Sequence, residues 1–190
     1  MKRLLFFVLI AVVGWSCSGK GWTSDEDALI VYPCEGEAKA VRIEPFDDDI
    51  IRVSATSDKF SDEESLVVLK KTRKVPFTVT DKNESVVLTT SNLQVEVSKV
   101  SGEVRFLDLN GNAILQEYPN GRTFKPVEVD GVGGYELQQI FESSDDEGIY
   151  GLGQHQAHEI NYKGKNEELF QYNTKVSIPF IVSTKNYGLL

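Results

Sequence analysis

Between Glu147 and Leu190 the chain collects most of the side chains that could do chemistry. Both histidines lie here, in His155-x-x-His158-Glu159, which offers three metal-ligand types within five residues. A metal site needs a regular element that aims such ligands together, and usually a fourth ligand. This segment lies between Gly153 and Gly164 and reads as irregular loop, so no metal is expected. Ser177 and Ser183 lack the Gly-x-Ser-x-Gly elbow that presents a hydrolytic serine. Glu167 and Glu168 are sequence neighbours that would face opposite sides of a strand, so they cannot form the opposed carboxyl pair of a glycosidase. Gly131-x-Gly133-Gly134 and Gly151-x-Gly153 lack the Lys-Ser/Thr or third glycine of a nucleotide-binding loop. Bends and close backbone approach account for them instead. No cofactor is implied.

What remains is a polar and aromatic set: Gln154, His155, Gln156, Asn161, Tyr162, Gln171, Tyr172 and Asn173. Carboxamides and imidazoles both donate and accept hydrogen bonds, as sugar hydroxyls require. Aromatic faces pack on the C–H side of a pyranose. Each of these polar groups could equally hydrogen-bond loop backbone. The run ends at Tyr187-Gly188-Leu189-Leu190 with no visible partner or turn, as expected of a truncated strand.

These residues need a scaffold, and the upstream sequence reads as β-structure. Val41 and Ile43 alternate with Arg42 and Glu44. Leu93, Val95 and Val97 alternate with Gln94, Glu96 and Ser98. Period-2 alternation of this kind marks half-buried strands. Further strands are expected at Ala28–Tyr32, through Ile51, Val53 and Ala55, and at Phe77–Thr80 and Val86–Thr89. Asn110-Gly111, between Val104–Leu109 and Ala113–Tyr118, is a two-residue hairpin signal. Ser61-x-x-Glu64 could cap a helix over Ser61–Lys71, but Val67-Val68 and Pro76 limit it to one turn at most, in a loop leading to a strand. Many short strands and almost no helix predict an all-β, antiparallel β-sandwich.

The N-terminus reads as an export signal. Lys2 and Arg3 precede an apolar Leu4–Val13 segment, which is too short for the roughly twenty residues of a membrane-spanning helix. Gly14-Trp15-Ser16 then leads to Cys17, in the manner of a bacterial lipoprotein signal that lipidates this cysteine. A plain secretory signal cleaved near Ser16 or Ser18 is the alternative. The expected organisation is a signal peptide over 1–16, a tether over 17–27, and a β-sandwich over 28–190 that is incomplete at its C-terminus. With Cys17 lipidated, Cys34 would be a free, partly buried thiol; otherwise a Cys17–Cys34 disulfide is permitted. The net charge of −9 excludes a basic nucleic-acid footprint. Short acidic groups such as Asp145-Asp146-Glu147 read as solvated loops.

Tyr150-Gly151-Leu152-Gly153-Gln154-His155-Gln156 and Gln171-Tyr172-Asn173-Thr174-Lys175-Val176-Ser177-Ile178-Pro179-Phe180, with Asn186-Tyr187-Gly188-Leu189-Leu190, resemble glycoside hydrolase family 31. The likeness is greatest to the bacterial α-xylosidase-like members. It extends less specifically through Ser101-Gly102-Glu103-Val104-Arg105-Phe106 and covers roughly residues 38–190. The resemblance implies a galactose-mutarotase-like β-sandwich before a catalytic (β/α)8 barrel, whose two aspartates run a retaining mechanism. Neither aspartate motif occurs in these 190 residues. It further implies that a sandwich loop reaches the barrel mouth and shapes the −1 sugar subsite. The matching positions are Asn173 and Thr174, with the Gly153–Gln156 turn, including Gln154 and His155, packed nearby. Many α-glucosidases of the family carry Asp in place of Asn173 and Gly-Glu in place of Gly153-Gln154, so the amide favours a xylosidase-like preference. The expected partners are an α-linked oligosaccharide containing xylose or glucose, the barrel of the parent chain, and a membrane reached through the lipid on Cys17. The expected location is the periplasm or outer membrane. A stand-alone glycan-binding lipoprotein and a purely structural β-domain are the rival readings.

Overall fold

A computed structural model describes residues 21–61, 65–69, 71, 73–154 and 159–190. Four strands form the first sheet: β1 (Trp22–Ser24), β2 (Leu29–Val31), β3 (Ala40–Pro45) and β4 (Ile51–Thr56). Six form the second: β5 (Thr78–Asp81), β6 (Ser85–Thr89), β7 (Gln94–Ser98), β8 (Val104–Leu107), β9 (Ala113–Val129) and β10 (Val132–Phe141). β11 (Ile149–Gln154), β12 (Val176–Ser183) and β13 (Gly188–Leu189) make a third. Within each sheet every strand pairs antiparallel with its neighbours in sequence. No helix occurs among the described residues.

The first two sheets enclose one core, as a sandwich requires. Leu29, Val31, Val41 and Ile43 from one meet Val86, Leu88, Val95, Val97 and Val104 from the other, all fully buried. Arg42, Glu44, Gln94, Glu96 and Ser98 stay partly exposed on the outer faces, as their alternation predicts.

Four local expectations change. Trp22–Ser24 belongs to a strand rather than a tether, because Trp22 packs against the core and Asp25 turns the chain back, accepting the amides of Asp27 and Ala28 at 2.8 and 2.9 Å. Asn110-Gly111 sits inside a longer loop, since Leu107 pairs with Ala113 and the Asp108 carboxylate accepts the amides of Asn110 and Asn112, each at 2.8 Å. The two-residue tip lies at Asp130-Gly131, where φ values of 51° and 79° give the left-handed turn that joins β9 to β10. Cys34 is exposed and disulfide-bonded, not a free buried thiol. The other cysteine, Cys17, lies outside the described residues, as does the rest of the expected signal. The described part of 61–71 shows bends and neither helix nor strand.

Leu88 is fully buried and Leu137, on β10, is 68% exposed. In chemical denaturation, Leu88→Ala is expected to cost about 2–5 kcal/mol. Leu137→Ala is expected to stay within about 0.5 kcal/mol of wild type. A Leu88→Ala cost below about 1 kcal/mol would contradict a core shared by the two sheets.

Candidate functional site

The third sheet carries the residues that sequence singles out, and it is built on different principles from the sandwich. Beyond Leu115 no hydrophobic residue is buried among those described. The buried side chains of this region are Glu117, Glu147, Lys175 and Ser183. Its strands are therefore fixed by polar contacts.

Glu147 lies two residues before β11. Its carboxylate accepts hydrogen bonds from Ser143, from Ser183 at the end of β12, and from the Tyr187 hydroxyl at 2.6 Å. Lys163 donates to Ser143 and to the Ser144 carbonyl. Burial pushes the Glu147 carboxyl upward, but the three hydroxyls and the Lys163 charge outweigh it and hold the group below its ordinary value. For Tyr187, burial and the bond to Glu147 push the phenol up to about 12. The solvated-loop reading of Asp145-Asp146-Glu147 thus fails at Glu147, which is only 5% exposed.

From this anchored end β11 runs to Gln154, in register with Val176 on β12. Gly151 and Gly153 have φ of 117° and 95°, and a register shift falls between them. A Cβ on Gly153 would stand 2.1 Å from the Val176 carbonyl oxygen, and one on Gly151 would stand 2.3 Å from that of Phe180. Strand-to-strand approach therefore requires both glycines, and no phosphate loop is formed.

Past Val176 the chain closes a tight turn at Tyr172-Asn173-Thr174-Lys175. The Lys175 amide donates to the Tyr172 carbonyl at 3.0 Å. Asn173 and Thr174 form the exposed tip, and Gln154 is exposed on the adjacent strand end. Three of the four sequence-predicted binding residues thus meet at one end of the sheet. None of their side chains hydrogen-bonds another described residue. The fourth, His155, lies outside the described residues, as do Gln156 and His158.

Other members of the polar set brace backbone. The Asn161 side-chain oxygen accepts the amides of Ile149 and Lys163, each at 3.0 Å. That of Gln171 accepts the Ser177 amide at 3.0 Å. Glu167 lies in a loop and pairs with buried Lys175, whose ammonium also reaches the Glu168 carbonyl oxygen at 2.7 Å. The expected lone final strand is a hairpin: β13 pairs with β12 through Ile181↔Leu189 and Val182↔Gly188.

Comparison with known proteins decides the kinship of this architecture. The profile of the Glycosyl hydrolase 31 N-terminal galactose mutarotase-like domain matches residues 40–190. The chain belongs to glycoside hydrolase family 31.

Within the family, it is 32% identical over 161 residues to an α-xylosidase of Saccharolobus solfataricus, an alignment covering 79% of this chain and 22% of that protein. The crystal structure of a family 31 α-xylosidase from Xanthomonas citri superposes with a TM-score of 0.80 at 39% identity, covering 87% of this chain and 18% of the other. A family 31 α-xylosidase from a soil metagenome, complexed with xylose, gives 0.74 at 27% identity, covering 88% and 27%. The chain therefore spans roughly a fifth to a quarter of these relatives and corresponds to the N-terminal domain of α-xylosidase-like glycosidases.

The anchoring of β11 yields a pH signature. Because the folded Glu147 carboxyl titrates below its ordinary value of 4.5, its contribution is complete above pH 4.5 and is lost as pH falls through the folded value. Tyr187, raised from 10.0 to about 12, contributes below pH 10 and loses that contribution as pH rises toward 12. The difference in unfolding free energy between wild type and Glu147→Gln is expected to shrink on acidification below pH 4.5. The difference for Tyr187→Phe is expected to shrink above pH 10. A pH-independent gap in both would contradict this network.

Proposed function

We propose that this chain is the N-terminal domain of an exported α-glycosidase of xylosidase type. A barrel elsewhere in the same polypeptide supplies the two catalytic aspartates, and Asn173 and Thr174, with Gln154 and His155, line its −1 subsite. The observation that carries this reading is the convergence of Gln154, Asn173 and Thr174 at one exposed sheet end, with side chains free to meet a ligand. An uncharged amide at position 173 can bond sugar hydroxyls without the cost of burying a carboxylate.

The outward row on β12 supports a covering domain. Val176, Ile178, Phe180 and Val182 share one strand face and are 40–47% exposed. Four apolar side chains in line make a surface suited to burial against a partner, and we assign it to the barrel.

In the parent enzyme, Asn173→Ala is expected to lower kcat/KM on an α-xyloside by tenfold or more, about 1.4 kcal/mol of transition-state stabilisation. A change of less than about twofold would remove Asn173 from the subsite. Sugar binding by this chain without hydrolysis in its full polypeptide would favour the free-standing glycan-binding reading instead.

We further propose export through the signal over 1–16, which the disulfide at Cys34 supports because such bonds persist outside the cytoplasm. Lipidation and an intrachain bridge to Cys34 compete for the same Cys17 sulfur. Mass spectrometry of the exported protein under non-reducing conditions is expected to find Cys34 held in a disulfide and protected from alkylation. Cys17 found diacylated with Cys34 open to alkylation would contradict that disulfide and restore the lipid-anchor reading.

A further inference from the structure

Phe170 and Tyr172 flank the start of the Asn173 turn, and their rings stack with centroids 5.1 Å apart and planes 15° from parallel. The Lys175 ammonium lies 4.9 Å from the centre of the Phe170 ring. That lysine is buried and held by Glu167 and the Glu168 carbonyl, whereas Phe170 and Tyr172 are 51% and 52% exposed. The backbone beneath them is tied to β12, because the Ser177 hydroxyl donates to the Phe170 carbonyl oxygen at 2.8 Å and Gln171 accepts the Ser177 amide. A buried cation thus fixes one ring, and that ring backs the second.

An aromatic ring has two faces, and one face of Tyr172 rests on Phe170. Tyr172 is 52% exposed, so ring surface remains available away from Phe170. This pair is pre-organised at the surface, beside Asn173. Around it lie Asn173, Thr174 and Gln154, with unengaged hydrogen-bonding groups that sugar hydroxyls can satisfy individually. This separates the turn from the β12 row, which offers only apolar contact.

We propose that the face of Tyr172 turned away from Phe170 is the stacking platform for the leaving sugar, the pyranose adjoining the one that Asn173 contacts. The inference rests on the glycosidase reading above and adds to it a determinant of aglycone preference. Tyr172 is here a binding residue for the leaving group, and Phe170 and Lys175 are positioning residues behind it.

The test compares the parent enzyme with its Tyr172→Ala, Tyr172→Leu, Tyr172→Phe and Tyr172→Trp variants on two substrates. One is α-xylosyl fluoride, whose leaving group has no ring; the other is an α-xylosyl-glucose disaccharide. The Ala and Leu variants are expected to lose at least tenfold more kcat/KM on the disaccharide than on the fluoride. The Phe and Trp variants, which keep a flat face, should hold the wild-type ratio within about threefold. Equal losses on both substrates, or no loss on either, would overturn the platform while leaving the glycosidase reading intact. A wild-type enzyme inactive on both substrates would overturn the glycosidase reading and the platform together. Leu preserves apolar bulk without a ring, so it distinguishes stacking from simple packing should the Ala variant fold poorly.

Discussion

Everything placed at the candidate site hangs on one buried carboxylate at the other end of its sheet. Glu147 joins the segment before β11, the last residue of β12 and the turn before β13 through three hydroxyl groups. Taking an ionised group out of water costs several kcal/mol unless its oxygens are satisfied. Here they are, and that requirement allows few arrangements of the three strands. The register Ile149↔Ser183 is set beside the carboxylate, and the pairing Gln154↔Val176 follows five residues later. Gln154 and the Asn173 tip are thereby aligned from a distance, by a charge that touches neither.

The molecule divides its stabilising forces accordingly. The sandwich is held by aliphatic side chains interleaved between two sheets, a non-directional attraction that tolerates small shifts. The third sheet shows no such core among the described residues and relies on hydrogen bonds and ion pairs, which are directional and fix angles. Lys175 repeats, next to the tip, what Glu147 does at the base: a buried charge gathers loop segments 167–170 and orients the exposed groups above it. A surface meant to present polar groups in fixed orientation benefits from this second kind of bonding.

Sequence alone disclosed the sandwich because alternation is a local signal: Val41 and Ile43, or Val95 and Val97, declare their buried face without reference to the rest of the chain. The turn at Asn173 and the glycines of β11 were legible through likeness to a family. What escaped depended on partners far along the chain. Glu147 looks like the end of an acidic run until Ser183 and Tyr187, 36 and 40 residues on, are brought against it. Asn161 and Gln171 look like ligand groups until the amides they brace are located. Asp130-Gly131 carried a hairpin signal as plain as Asn110-Gly111, but the glycines after it suggested a series of bends. Asp108 shows the converse, a side chain that captures backbone amides and converts an expected two-residue turn into a longer loop.

The pairing of each strand with its sequence neighbour also gives the chain a direction in time. A polypeptide released from its N-terminus can zip one hairpin after another, since no strand must wait for a distant partner within its own sheet. By the end of β8 nearly all of the interior is present, and Leu115 early in β9 completes the buried aliphatic set. The glycine-bent third sheet follows, on a base already formed. Sequence change among its loops therefore acts on a finished foundation, which gives such a module room to vary its exposed surface while its scaffold stays the same.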